Sequence, residues 1–134
     1  MEEQNMATAG GLSEIGQISV IVKDVARARA FYQDVLGMKH LFDAPPQLAF
    51  FACGGVRLML SPAEKPEFER PSSILYFRVK DVRDSHRLFV ERGVRFEREP
   101  HMLARMPAYE LWLAFFRDSE DNLLALMSEL PIQG

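Results

Sequence analysis

Polar and apolar positions arrange themselves in the same way in two stretches of the chain, QISVIVKDV at 17–25 and ILYFRVKDV at 74–82. Each begins with a run that splits into two faces at a period of two, as a strand does. In the first, Ile18, Val20 and Val22 make an all-aliphatic face, with Gln17, Ser19 and Ile21 opposite. In the second, Leu75, Phe77 and Val79 face one way, and Ile74, Tyr76 and Arg78 the other. After the shared VKDV the period widens. Ala28, Phe31, Tyr32, Val35 and Leu36 fall at i, i+3, i+4, i+7 and i+8, which is one face of a helix. Asp24 stands where an N-cap is needed, and Gly37 where a left-handed residue ends the helix. In the second copy Asp81 caps, Ser85, Leu88 and Phe89 form the stripe, Gly93 stops it, and His86 is expected on the solvated side.

The repeat continues. LAFF at 48–51 returns as LAFF at 113–116, and RLML at 57–60 corresponds to LLAL at 123–126. Strand-like runs are expected over 39–43, 48–52 and 56–61, and over 94–99, 109–117 and 123–128. Gly54-Gly55 suits a tight hairpin. DSEDN at 118–122 does the same work in the second half, where Asp121 or Asn122 tolerates the left-handed region. PHMLARMPA at 100–108, with Pro100 and Pro107 at its ends, is expected to be a loop over the mouth of a cavity.

The expected fold is α+β: two tandem βαβββ modules forming a curved mixed sheet, a half-barrel with a central cavity. The modules run over 15–61 and 73–131, with a tail at 1–14 and a proline-bearing linker at 62–72. One module alone would leave a sheet face bare, so burial requires the second. The faces turned away from the helices gather the candidate ligand-binding residues. They are Gln17, Ser19, Arg57, Met59, Ile74, Tyr76, Arg78, Ala125 and Met127, with Trp112 a further candidate. A mixture of aromatic, aliphatic and a few polar groups suits a ligand cavity. Arg57 and Arg78 are candidates for recognising an anion, because guanidinium matches carboxylate and phosphate geometry, the alternative being an arginine at the pocket rim that reaches out to water. Alternation does not say which face of the LAFF strands points inward, so Phe50, Trp112 and Phe116 all stay in play.

Composition narrows the function. A formal net charge of −3 over 134 residues offers no basic footprint for nucleic acid. No apolar run approaches the roughly 20 residues of a membrane span, and residues 1–14 lack the pattern of a secretory leader. One cysteine, Cys53, makes no internal disulfide, and a cytoplasmic location is expected.

The tandem βαβββ pattern, the QISVIVKDVARARAFYQDVLGM opening and the FFRDSEDNLLALM close resemble the vicinal oxygen chelate superfamily. That superfamily includes glyoxalases, bleomycin-resistance proteins and extradiol dioxygenases. The resemblance implies paired modules, commonly in a homodimer, and in its metal enzymes ligands from the first and fourth strands of each module. Here those positions are Gln17, Met59, Ile74 and Ala125, and only Gln17 conforms. No metal or other cofactor is therefore expected, Gln17 being the vestige of a site. The favoured reading is a metal-independent protein that binds a small organic molecule in a cavity between modules of a homodimer. The alternative is a lyase, isomerase or dioxygenase with a displaced or absent metal site, for which His101, Glu110 and Asp118 are unassigned candidates.

Overall fold

The computed structural model describes residues 14–63 and 73–132, together with Ala9, Leu12 and Pro66. The expected tail and linker fall mostly outside them. The first module comprises β1 (Gln17–Ile21), α1 (Val25–Ala30), β2 (Lys39–Ala44), β3 (Leu48–Cys53) and β4 (Val56–Ser61). The second comprises β5 (Leu75–Arg78), α2 (Val82–Glu91), β6 (Arg95–Phe96), β7 (His101–Arg105), β8 (Glu110–Arg117) and β9 (Leu123–Leu130). The α+β architecture of two related modules is present, with its sheet divided. One sheet has the order β1-β4-β3-β2, and the other β5-β9-β8-β6 with β7 also on β8. Both first strands, β1 and β5, run parallel to the last strand of their module, and the remaining pairs are antiparallel.

The caps form as their residue types dictate. Asp24 accepts from the Arg27 amide at 3.0 Å and Asp81 from the Arg83 amide at 2.9 Å. Gly37 and Gly93 end the helical segments at φ of 75° and 89°, a region that costs a side chain about 1 kcal/mol or more. In the first module α1 widens into one π-helical turn over Phe31–Val35, closed by the Leu36 amide on the Phe31 carbonyl at 3.0 Å. Tyr32 is fully buried there, and Phe31, Val35 and Leu36 pack on the core.

Three expectations for the second module change. The inward stripe of α2 runs through the buried Val82 and the partly buried Phe89, while Leu88 is exposed. His86 packs its ring on Phe96 at 4.4 Å instead of facing solvent. The expected loop over 100–108 contains β7, antiparallel to β8 from His101↔Leu113 to Arg105↔Glu110. β6 and β7 lie along the same neighbour, and Pro100, which has no N–H to give a ladder, falls between them. The outer strands of both modules carry an irregularity at a leucine, Leu41 and Leu103, and both leucines are exposed.

A single core joins the modules. Val20, Val22, Phe51, Leu58 and Leu60 from the first belong to one cluster with Val82, Phe116, Leu124 and Leu126 from the second. Fully burying side chains of this size contributes roughly 1.5–3 kcal/mol each. Around it the turn after β8 reaches into the first module. Asp118, 1% exposed, accepts from the Tyr32 hydroxyl at 2.7 Å. Glu120 accepts from the Lys23 and Asp24 amides at 3.0 Å each. Asp121 is the residue that takes positive φ, at 68°. No helix among the described residues is long and apolar enough to cross a membrane.

Candidate functional site

Each sheet has one face on the shared core and one facing away from it. Residues paired across a ladder point to the same side, so the registers assign every side chain to a face. On the first sheet Gln17↔Arg57, Ser19↔Met59, Phe50↔Met59 and Phe42↔Phe50 put these six residues on the outer face. On the second, Tyr76↔Ala125, Arg78↔Met127, Phe115↔Ala125 and Leu113↔Met127 define the equivalent face. The LAFF question is thereby answered: the first phenylalanine of each, Phe50 and Phe115, faces outward, and the second, Phe51 and Phe116, is fully buried in the core.

Gln17, Ser19, Arg57 and Met59 therefore come together on one open face, and Ile74, Tyr76, Arg78, Ala125 and Met127 on the other. Trp112 does not join them. It lies on the helix side, donating its indole N–H to Glu110 at 3.0 Å beneath the Arg83 guanidinium. Phe42 and Phe115 are the aromatic residues that the sequence reading passed over. Their signal was available in the period of two, once one LAFF residue was known to be buried.

The polar groups of the first face are tied to each other. Gln17 Oε1 accepts from Arg57 Nε at 2.8 Å, while its Nε2 approaches Met59 Sδ at 3.8 Å. The Arg57 guanidinium lies 5.2 Å from the centroid of Phe50, and Phe50 stacks on Phe42 with centroids 4.7 Å apart. Ser19 and Ser61 hydroxyls are 3.4 Å apart. On the second face Tyr76 and His101 flank Phe115 at 6.0 and 6.4 Å between centroids. Arg78 is paired with Glu129 at 3.3 Å and Arg117 with Glu97 at 2.8 Å. A depression of about 220 Å³ there is walled by Ile74, Phe115, Arg117 and Leu123, among others. A larger groove, about 600 Å³, lies off these faces, between the start of α1 and the β2–β3 turn. Its Arg29 and Asp43 are already paired at 2.9 Å, and Asp24 is spent as a cap.

A family model described as the Glyoxalase/Bleomycin resistance protein/Dioxygenase superfamily matches residues 14–126. The chain belongs to that superfamily. Among solved structures, it is similar to a superfamily member from Sphaerobacter thermophilus, with 22% identity, TM-score 0.73, and 88% of this chain and 98% of that one covered. It is similar to TnmS3, an antibiotic binding protein from a Streptomyces species, at 26% identity and TM-score 0.68, covering 88% and 97%. A lactoylglutathione lyase from Agrobacterium tumefaciens shares the fold at 24% identity and TM-score 0.65, covering 87% and 94%. No curated protein sequence matches significantly.

The metal that the superfamily's enzymes use can be tested against the residues present. The side chains of Ile74 and Ala125 have no donor atom, and the Met59 thioether is a soft donor unsuited to hard divalent ions. Gln17 has an amide oxygen, but the Arg57 cation already donates to it, and a second positive charge at that oxygen would be repelled. No group of three or more His, Cys, Asp or Glu among the described residues is placed to hold a metal ion. The donor set does not fit a divalent ion at this position. Of the acid–base candidates, Glu110 and Asp118 are 5% and 1% exposed. Glu110 is committed to Arg105 and Trp112, and Asp118 to Tyr32 and Asn122. His101 is on the second open face, with Arg98 Nε 3.1 Å from its Nδ1.

Proposed function

We propose that the protein binds a small organic molecule on these open faces without a metal, in the cytoplasm, and that a second copy closes the site in a homodimer. One observation carries the reading: the single residue that keeps a ligand-capable oxygen, Gln17, gives that oxygen to Arg57. The surroundings suit binding better than chemistry. Tyr76 and Phe42 remain 47% and 46% exposed on faces rich in aromatic and aliphatic groups, and such surfaces call for a covering partner or ligand. TnmS3, at 26% identity, is an antibiotic binding protein, which supports the same reading. An acid–base reaction needs a titratable group aimed at the ligand; Glu110 and Asp118 are engaged away from both faces, and His101, the candidate that does lie on one, has its Nδ1 on Arg98 Nε.

The test is a thermal-shift screen of small aromatic compounds in the presence of chelator. A binder raises the melting temperature in proportion to RT ln(1 + [L]/Kd). Chelator-insensitive stabilisation by at least one compound, lost in Tyr76→Ala, supports the proposal. Turnover that depends on added metal would replace it with the enzyme reading.

A further inference from the structure

Among the described residues, several arginines reach the open faces, Arg95 among them through its pairing with Arg117 and bound to Asp121 at 3.0 Å, and their partners differ. Arg78 is neutralised by Glu129 and Arg117 by Glu97. Arg57 has no acidic partner among the described residues. Its Nε is held by Gln17 at 2.8 Å, and its flat group rests 5.2 Å from the Phe50 centroid. These two contacts fix the plane of the guanidinium while using one of its five N–H donors. The donors on the terminal nitrogens form a fork whose geometry matches two oxygens of one anion.

We infer that Arg57 takes over the task a metal would perform at this place, binding the oxyanion of a flat, aromatic molecule such as an aryl carboxylate. This rests on the binding reading above and adds the class of ligand. A divalent ion and a guanidinium serve the same need, since both neutralise adjacent oxygens. The guanidinium does so through directed hydrogen bonds. Gln17 changes its task accordingly, from donor to a metal to acceptor that orients Arg57. The half-exposed Phe42, stacked at 4.7 Å on the buried Phe50, supplies the aromatic shelf beside the fork.

The probes are 2-naphthoate, its uncharged amide 2-naphthamide, and inorganic phosphate, titrated into the full chain with chelator present and followed by calorimetry and amide NMR shifts. A charged hydrogen-bonded pair predicts that naphthoate binds about tenfold or more tighter than naphthamide. Arg57→Gln removes that preference, weakening naphthoate far more than naphthamide. Gln17→Glu provides an independent variant, because it supplies the acid that Arg57 lacks, and it too abolishes the preference. Both residues are exposed, so circular dichroism and melting should stay close to those of the unmodified protein. Equal binding of naphthoate and naphthamide overturns the anion assignment and leaves the binding reading standing. A preference for naphthoate that survives Arg57→Gln places the anion elsewhere and also overturns it. Phosphate binding as tight as naphthoate overturns the aromatic half. Failure of all three probes counts against both the inference and the binding reading.

Discussion

The Tyr32 hydroxyl of the first module donates to the Asp118 carboxylate of the second at 2.7 Å, with both side chains sealed from water. Asp118 also accepts from the Glu120 and Asn122 amides at 2.8 and 2.9 Å, and from the Asn122 side chain at 3.0 Å. Four donors on one buried carboxylate offset the cost of removing it from water. The DSEDN turn is thus both a hairpin and the latch between modules.

Removing one donor should be tolerable, and removing the acceptor should not. Tyr32→Phe is expected to cost about 1.5–3 kcal/mol, as loss of a hydrogen bond to a charged group. Asp118→Ala leaves several buried donors unpaired and should cost more, roughly 3–5 kcal/mol. Urea denaturation of the two variants checks the order. Equal small losses would mean that the modules are held by the shared apolar core alone.

The same contact gives a pH dependence on the alkaline side. Burial first, and then the Asp118 carboxylate, push the Tyr32 pKa far above the ordinary tyrosine range. An unfolded chain ionises this tyrosine near pH 10. The stabilisation is therefore complete below about pH 10 and is lost as pH rises from there toward the folded-state value. In that window the advantage of the unmodified protein over Tyr32→Phe should shrink by roughly 1.4 kcal/mol per pH unit. Parallel stability curves for the two proteins between pH 9 and 11 would contradict it.

Trp112 and Phe115 separate the two faces of the second sheet in a single experiment. Phe115→Ala should weaken an aromatic compound that needs Tyr76 in the thermal-shift screen about 3- to 10-fold, the worth of one aromatic contact. Trp112→Phe should leave binding unchanged and cost about 1 kcal/mol of stability through the lost bond to Glu110. The opposite pattern would mean that the face assignment of β8 is wrong.

The exposed side chains of the open faces also predict an assembly. Light scattering after gel filtration should give twice the 15.3 kDa chain mass, and Phe42→Glu should shift the protein toward the single-chain mass. A monomer at high concentration would remove the second copy from the account.

Much of this was legible in the sequence because local rules and the final fold agree. The repeated VKDV marks a strand-to-helix junction twice, and Asp24 and Asp81 cap where they were expected to. The two-faced pattern of 17–22 and 74–79 gives the faces of Gln17, Ser19, Ile74, Tyr76 and Arg78, and the registers put Arg57, Met59, Ala125 and Met127 beside them; Trp112 lies on the other side. That residue sits in a strand whose apolar side chains point both ways, LWLAFF, and an unbroken apolar run carries no information about its faces. Only the β8–β9 register resolves it, because Trp112 shares a face with Ser128, which is fully buried. The strand at 101–105 was hidden by two flanking prolines, which read as loop. The Arg57–Gln17 pair was invisible for another reason. It joins positions far apart in sequence, and which arginine stays without an acid depends on where Glu97 and Glu129 fall.

The central claim, that the site works without a metal, is tested most directly by metal analysis of the purified full chain together with its melting temperature before and after chelator. The account predicts substoichiometric divalent metal and an unchanged melting temperature. A stoichiometric divalent ion whose removal lowers the melting temperature would contradict it.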